Sequence, residues 1–241
     1  MSRRRRVTTV AAGLVVVGAL VSVPLSPSWI TGWLARRSSE VLYFVETDRP
    51  VVALTIDDGP DSVATPEILD VLKQHGARAT FFVITDRVPG NEHVFGRILE
   101  EGHEIANHLT SDEPSIRLSP SDFEHQLLAA DEVLTAYSPM RWFRPGSGWF
   151  NDDMLVTLHK HGYTNVLGSV YPFDAAIPWS WFASRYIFWN VQPGSIIVLH
   201  DVGSRGLRTA ATLRTILPEL QAKGYNVVTV STLTGMPGRD S

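Results

Sequence analysis

Short apolar runs alternate with longer amphipathic segments from residue 50 onward, and this alternation restricts the fold more than any other feature. The short runs predict seven strands, at residues 51–56, 79–84, 103–107, 141–143, 164–167, 196–199 and 227–230. The segments of helical period predict five helices, at residues 65–75, 92–101, 121–137, 152–161 and 208–223. Strands that alternate with helices indicate repeated βα units and a parallel sheet.

A glycine falls just past four of the predicted helices, at Gly76, Gly102, Gly162 and Gly224. Glycine accepts the left-handed conformation that often ends a helix, so this punctuation supports the βα interpretation. About seven such units predict one α/β domain at residues 41–241, built as a single parallel (β/α) barrel of the TIM type. Active-site residues of such barrels lie at the C-terminal ends of the strands.

The first 40 residues have a different composition. Arg3 to Arg6 precede an apolar, uncharged stretch of about 19 residues, from Val7 to Leu25, which is long enough to span a bilayer. We expect an uncleaved membrane anchor with a cytoplasmic basic tail and the α/β domain outside the cytoplasm. A cleaved signal peptide, which would leave the domain secreted, is the alternative.

Composition narrows the possible chemistry. The chain has no cysteine, so any metal ion must be held by His, Asp or Glu. All 25 acidic residues lie from Glu40 onward, whereas six of the 21 Lys and Arg residues lie before residue 38. The resulting acidic domain repels phosphate backbones, so we expect no nucleic-acid partner.

Titratable or cationic residues follow four of the predicted strands. Asp57 and Asp58 follow the first, His108 the third, Arg144 the fourth and His200 the sixth. A single Asp-Asp-Gly-Pro segment is often an ordinary turn. Such groups at four strand ends indicate instead a catalytic site.

His108 and Asp112 are four residues apart, so a helical turn there would point both side chains the same way. Together with one Asp of the Asp57-Asp58 pair they would form a three-ligand site that leaves a position for water. That pattern is typical of a catalytic metal ion, and its ligand types suit zinc.

The segment TIDDGP at residues 55–60 is similar to the TFDDGP motif of the NodB-homology polysaccharide deacetylases, carbohydrate esterase family four. The resemblance extends over residues 51–233, nearly the whole domain. It implies a deformed (β/α) barrel and metal-dependent hydrolysis of N-acetyl groups on a glycan such as peptidoglycan or a chitin-like oligosaccharide.

The resemblance also implies a role for individual residues. Asp57 matches the general base, Asp58 and His108 match metal ligands, and His200 matches the general acid. These roles agree with what amide hydrolysis requires: a water made nucleophilic by a base, and a proton for the leaving amine. An imidazole titrates close enough to neutral pH to supply that proton.

Further positions match motifs that surround the reacting group. The segment RPGSG at residues 144–148 resembles the family's RPPYG, in which the arginine positions the base and a backbone N–H, here near Ser147, helps to hold the oxyanion. Val198 and Leu199 match residues that line an acetyl pocket. Asp174 is the candidate for the aspartate that orients the general acid.

Two departures from the family pattern affect this interpretation. Asp112 replaces the second histidine of the family's H-x-x-x-H motif, and its extra negative charge makes a bound ion a weaker Lewis acid. The oxygen-rich shell then admits manganese or cobalt besides zinc.

In the second departure, Gly146-Ser147 replaces Pro-Tyr and removes an aromatic wall from the substrate groove. We expect one or two nearby aromatic residues to contact sugar. The candidates are Trp149, Phe150, Tyr171, Phe173, Trp179 and Trp181.

The sequence therefore predicts a membrane-anchored or secreted, metal-dependent polysaccharide deacetylase whose partner is an N-acetylated glycan. Two alternatives stay open. One is a metal-dependent hydrolase of a different amide. The other is a glycan-binding module without activity, in which Asp112 marks a decayed site, although such a module would not need Asp57, Asp58 and His200 together.

Overall fold

The structure, a computed structural model, describes residues 40–139 and 141–236. Eight strands lie in this part of the chain: β1 (Val41–Leu42), β2 (Val51–Asp57), β3 (Thr80–Val83), β4 (Glu104–Asn107), β5 (Trp142–Phe143), β6 (Thr164–Val166), β7 (Ile196–His200) and β8 (Asn226–Val228). The α-helices are α1 (Ala64–Gln74), α2 (Glu92–Glu100), α3 (Pro120–Thr135), α4 (Asp152–Lys160), α5 (Ser180–Asn190), α6 (Gly203–Ala222) and α7 (Val230–Thr234). Three short 3₁₀ turns lie at Thr85–Arg87, Ser115–Arg117 and Gly146–Gly148.

All paired strands in the described residues are parallel, which confirms the predicted βα architecture. The strand order is β1-β6-β5-β4-β3-β2-β7, and β8 pairs with the first residues of β2. A bridge between Phe44, just after β1, and Ser195, just before β7, joins the two ends of this order. A second bridge joins Val170 to Ile197. The sheet is therefore an irregularly closed, deformed (β/α) barrel.

The alternation of side chains along β2 decides what faces the barrel interior. Leu54 and Ile56 belong to the main hydrophobic core, whereas Ala53 belongs to a second cluster with Phe82. Successive side chains of a strand point to opposite faces. Asp57, two positions beyond Thr55 and four beyond Ala53, therefore shares the face of this second cluster. All seven residues of β2 are buried, as expected for a parallel strand covered on both faces.

The ends of the helices follow local sequence signals. Ser119 Oγ accepts a hydrogen bond from the backbone N–H of Asp122 and caps α3, and Asn151 Oδ1 caps α4 in the same way through Met154. The four predicted end-of-helix glycines all have positive φ, at Gly76, Gly102, Gly162 and Gly224, which confirms their assignment.

Several elements differ from the sequence-based prediction. The predicted strand at residues 227–230 ends earlier, because Thr229 Oγ1 accepts from the N–H of Thr232 and starts α7. Helix α5 was not predicted, since its aromatic residues lie on several faces and hide the helical period. β1 was missed because two residues are too short to give a pattern. Helix α6 begins five residues earlier than predicted, at Gly203.

In the part of the chain that the structure describes, no helix is long and apolar enough to cross a membrane. The predicted anchor or signal segment at residues 7–25 lies outside the described residues.

Candidate active site

The carboxyl ends of four strands bring the predicted titratable residues to one edge of the sheet. Asp57 ends β2 and His200 ends β7, and the two are opposite each other in the register of these paired strands. His108 follows β4 directly, Arg144 follows β5 directly, and those two strands also pair. The arrangement agrees with the rule that barrel sites lie at strand ends.

Arg144 is buried and held on several sides. Its Nη1 donates to Asp57 Oδ1 at 2.5 Å and to Thr55 Oγ1 at 2.8 Å, while its Nε donates to the carbonyl oxygen of Val166 at 2.7 Å. The guanidinium carbon also lies 4.1 Å from the centre of the Phe82 ring. A cation held this firmly orients one oxygen of Asp57 and leaves the other oxygen for chemistry.

His200 forms a second charged pair, with Asp174. Its Nδ1 lies 2.9 and 3.0 Å from the two Asp174 oxygens, and its backbone N–H donates to Oδ2 at 3.1 Å. Burial alone would lower the pKa of His200, but the hydrogen bond and charge of Asp174, together with the charges of Asp57 and Asp58, raise it to about 9. His200 is therefore a cation that can donate a proton at neutral pH.

Asp58 and His108 face each other, with His108 Nε2 3.5 Å from Asp58 Oδ1. His108 Nδ1 lies 2.6 Å from the carbonyl oxygen of Arg144 and must donate to it, which directs Nε2 at Asp58. Arg205 Nη1 is 3.2 Å from the other Asp58 oxygen. Burial would raise the pKa of Asp58, but His108, His200 and Arg205 together hold it well below its usual range.

The pKa of His108 responds in the opposite direction. Burial would lower it, yet the hydrogen bond to Asp58 and the charges of Asp57 and Asp58 raise it above the ordinary value. Each member of the pair therefore stabilises the charged form of the other. Metal binding needs an unprotonated Nε2, so it competes with protonation of His108.

Asp112, the third predicted ligand, points elsewhere in this structure. Its Oδ2 accepts from Arg87 Nη2 at 2.7 Å, and its side chain is 53% exposed. Within residues 40–139 and 141–236, no three His, Asp or Glu side chains group closely enough to hold a metal ion. The arrangement supplies two of the three predicted ligands, Asp58 and His108.

Of the three residues predicted to contact substrate, Ser147 and Val198 lie close in the chain to catalytic candidates, whereas Leu199 lies in the hydrophobic core. Ser147 lies in the 3₁₀ turn Gly146–Gly148, which is fastened by a 2.8 Å hydrogen bond from the N–H of Gly146 to Ser115 Oγ. Val198 is buried on the same face of β7 as His200, two positions away. Leu199 faces the opposite way and packs in the main hydrophobic core.

Strained backbone is concentrated beside these residues. In the described part of the chain, four residues other than glycine have positive φ, and each is a predicted site residue or its neighbour: Asp58 (79°), Leu109 (64°), Ser147 (66°) and Phe173 (57°). Leu109 follows His108, and Phe173 precedes Asp174. Such conformations cost free energy and cluster at functional sites, so this distribution supports the location of the site.

Sequence reasoning missed Asp201, which lies beneath the site. Thr65 Oγ1 donates to its Oδ2 at 2.7 Å, whereas its Oδ1 is buried without a hydrogen-bond partner among the described residues. A side chain at Gly59 would collide with this carboxylate, since an added Cβ would be 2.1 Å from Oδ2. Burial, with smaller contributions from nearby carboxylates, raises the pKa of Asp201 to about 7. The only sequence signal was its position directly after His200.

Arg205 was also missed, and Tyr171 was expected only as one of six aromatic residues that could contact sugar. Arg205 lies at the start of α6 and reaches Asp58, as described above. The Tyr171 ring makes an edge contact with His200, with ring centres 5.9 Å apart, and is partly exposed at the site. Neither residue belongs to a motif, because each reaches the site from a segment that only the fold brings near.

Comparison with known proteins agrees with this geometry. The sequence model of the polysaccharide deacetylase family matches residues 44–166. A peptidoglycan-N-acetylglucosamine deacetylase of Bacillus cereus is 38% identical over 197 residues, covering 80% of this chain and 92% of that protein. A chitooligosaccharide deacetylase of Sinorhizobium fredii is 35% identical over 192 residues, covering 74% of this chain and 89% of that protein.

A solved structure gives the same result for the fold. The crystal structure of the Bc1960 peptidoglycan N-acetylglucosamine deacetylase superposes with a TM-score of 0.78 at 28% sequence identity, covering 83% of this chain and 95% of that one. The predicted family is thereby confirmed: this chain belongs to the polysaccharide deacetylases, the NodB-homology enzymes of carbohydrate esterase family four.

Proposed function

We propose that this enzyme hydrolyses the N-acetyl groups of N-acetylglucosamine units in peptidoglycan, with chitin-like oligosaccharides as the second candidate substrate. One observation carries the proposal: Asp57 and His200 stand opposite each other on β2 and β7, each with its own partner of opposite charge. Amide hydrolysis needs a base and an acid on either side of the same carbonyl group. The relatives named above act on these two substrate classes.

In this mechanism Asp57 takes the proton of the attacking water. Arg144 binds Oδ1 of Asp57 and so directs the other oxygen toward that water. His200, protonated through its pairing with Asp174, gives a proton to the departing amine nitrogen. Because Nδ1 is occupied by Asp174, Nε2 is the nitrogen that donates.

The developing oxyanion and the acetyl methyl group need their own contacts. A backbone N–H at Ser147 is our candidate oxyanion donor, since the left-handed turn there lies on the loop after Arg144. Val198, on the same strand face as His200, is the candidate for the acetyl pocket. Leu199 supports that pocket only from behind, because it packs in the core.

A divalent metal ion is part of the proposal, zinc first and manganese or cobalt as alternatives. Asp58 and His108 would hold it, and Asp112 would join them only by leaving Arg87. When bound, such an ion would polarise the acetyl carbonyl and lower the pKa of a bound water. The chemical fit of an Asp and a His supports the proposal, and the pairing of Asp112 with Arg87 weighs against a complete three-ligand shell.

We also propose that the domain works outside the cytoplasm, attached through the apolar segment at residues 7–25 or released after its cleavage. β1 runs parallel to β6, so residue 40 lies at the edge of the sheet opposite the catalytic residues. An attachment there would turn the site away from the membrane and toward a surface polymer. A reporter fused after residue 40 should be exported, and a cytoplasmic reporter would contradict this placement.

Acetate release tests the activity. The purified domain should release acetate from peptidoglycan, from N-acetylglucosamine oligomers or from both, and Asp57→Asn should release it roughly 10²- to 10⁴-fold more slowly from either. If the wild-type domain released no acetate with zinc, manganese or cobalt present, yet still bound peptidoglycan, the glycan-binding alternative would replace this proposal.

A further inference from the structure

Three tryptophans on or just before α5 are largely exposed: Trp179 (57%), Trp181 (65%) and Trp189 (63%). Large aromatic side chains are costly to leave in water, so a group of them on a surface marks a binding site more often than an accident. Trp179 and Trp181 stack on each other, with ring centres 6.1 Å apart and planes inclined by 17°. We call these two residues the tryptophan pair.

The tryptophan pair is connected to the catalytic residues by packed rings. Consecutive ring centres are between 5.4 and 6.3 Å apart along the series His200, Tyr171, Phe173, Tyr186, Phe182, Trp181. The loop that carries Asp174 also leads directly into α5. The pair is therefore built onto the same structural unit that holds the general acid.

A polar groove adjoins the pair. It lies between α5 and α6, has a volume of about 300 Å³ and is lined by Trp181 together with Ser180, Ser184, Arg185, Phe188, Thr215 and Glu219. An aromatic face bordered by hydroxyl, carboxylate and guanidinium groups suits a ligand with apolar C–H faces and many hydroxyl groups. A sugar ring has both properties.

We propose that the tryptophan pair and this groove bind a glycan strand at a distance from the acetyl group being removed. The inference rests on the proposed function, because it takes the polymer as substrate. A polymer extends beyond the reacting sugar, so a second contact can hold the strand while the catalytic residues act on one unit. Such a site raises the effective concentration of the polymer and leaves the chemical step unchanged.

The charges nearby favour a glycan over a lipid surface. Membrane-surface helices combine a broad apolar face with many Lys and Arg residues on the polar face. Here α5 carries one cation, Arg185, whose guanidinium lies 4.8 Å from the Trp189 ring and so covers one face of that ring. At the groove, Glu219 supplies a negative charge and Lys223, whose Nζ lies 5.1 Å from the Phe188 ring, a positive one, so these two charges offset each other.

Co-sedimentation with insoluble peptidoglycan tests the proposal without requiring turnover. The double variant Trp179→Ala/Trp181→Ala should bind about tenfold more weakly than wild type, a loss that corresponds to about 1.4 kcal/mol. Tyr137→Ala is the control, since Tyr137 is a similarly exposed aromatic residue (56%) just after α3 that belongs to neither the pair nor the groove. Its binding should stay within about twofold of wild type. Thermal unfolding should confirm that both variants remain folded.

Kinetics provide the second measurement. The double variant should raise KM for polymeric peptidoglycan and leave kcat/KM for a disaccharide of N-acetylglucosamine unchanged. Equal peptidoglycan binding by the double variant and wild type would overturn the proposal, as would an equal loss in Tyr137→Ala. If the double variant lost binding to anionic phospholipid vesicles but still bound peptidoglycan as wild type does, the surface would be assigned to a membrane instead. If wild type released no acetate, the proposed function would fail, and co-sedimentation would still decide the role of the tryptophan pair.

Discussion

Both carboxylate oxygens of Asp174 lie within 3.0 Å of His200 Nδ1, and the backbone N–H of His200 donates to the same carboxylate. This double attachment fixes both the orientation of the ring and its charge. It explains how a buried imidazole keeps its proton, since burial by itself would lower the pKa of His200.

Asp174→Asn should therefore move the alkaline limb of the kcat/KM profile to lower pH. In the proposed mechanism His200 acts in its protonated form, so activity should fall as the pH rises through its pKa. Removing the Asp174 charge lowers that pKa, and the loss of activity then begins at lower pH. The measurement is the pH dependence of acetate release by both proteins. An unchanged alkaline limb would show that Asp174 does not control the proton on His200.

Asp57→Asn should lower kcat by roughly 10²- to 10⁴-fold, the usual contribution of a general base. The amide has nearly the same shape and can still accept from Arg144, so the fold should survive. Asp70→Asn, which alters an exposed carboxylate on α1 far from the site, serves as control and should keep full activity. Near-normal turnover in Asp57→Asn would remove this residue as the base.

Metal affinity should separate the two roles open to Asp112. If it is a ligand, Arg87→Gln frees it and should increase the affinity for zinc severalfold, whereas Asp112→Asn should decrease it. Asp58→Ala should abolish binding in either case. Isothermal titration of the metal-free domain measures all three variants. Unchanged affinity in both Arg87→Gln and Asp112→Asn would leave Asp112 as only the surface ion pair seen in the structure.

Asp112→His tests the electrostatic consequence of the unusual ligand. The histidine would leave a bound ion with more positive charge and a softer shell, so we expect stronger zinc preference over manganese and faster turnover. Activity with each metal, compared between wild type and variant, measures this. Equal preference and equal rates would contradict the proposed effect of the carboxylate.

Asp201 should make the protein less stable as the pH rises. Its folded-state pKa of about 7 is above that of an unfolded aspartate, so the folded form binds more protons between about pH 4 and pH 7. Stability from this group is complete below about pH 4 and is lost as the pH rises through 7.

Asp201→Asn removes this titration. The free energy of unfolding of the variant minus that of wild type should therefore increase between pH 5 and pH 8. At about 1.4 kcal/mol for each pKa unit, the relative gain is on the order of 3 kcal/mol. Urea unfolding at the two pH values measures it. A constant difference between the two proteins would mean that Asp201 is already ionised in the folded protein at pH 5.

Much of this protein could be predicted from local sequence patterns. The continuous apolar runs of β2 and β7, the glycines after the helices and the polar residues after four strands together predicted a parallel barrel with its site at one edge. Each of these signals involves residues close together in the chain. Hydrophobic period and turn chemistry act over that range, so no knowledge of distant contacts was needed.

Only the tertiary structure decided which groups are partners at the site. Asp57 binds Arg144, which lies 87 positions away in the chain. Asp112 pairs with Arg87 and not with His108. Asp201 is buried beneath a motif that precedes it by more than 140 residues. The tryptophan pair lies at the start of a helix whose aromatic residues gave no readable period. Pairing, burial and pKa depend on packing between segments far apart in the chain. The sequence by itself therefore determined that residues at the strand ends meet at one edge, and the fold determined what each of them contacts and which residues from distant segments join them.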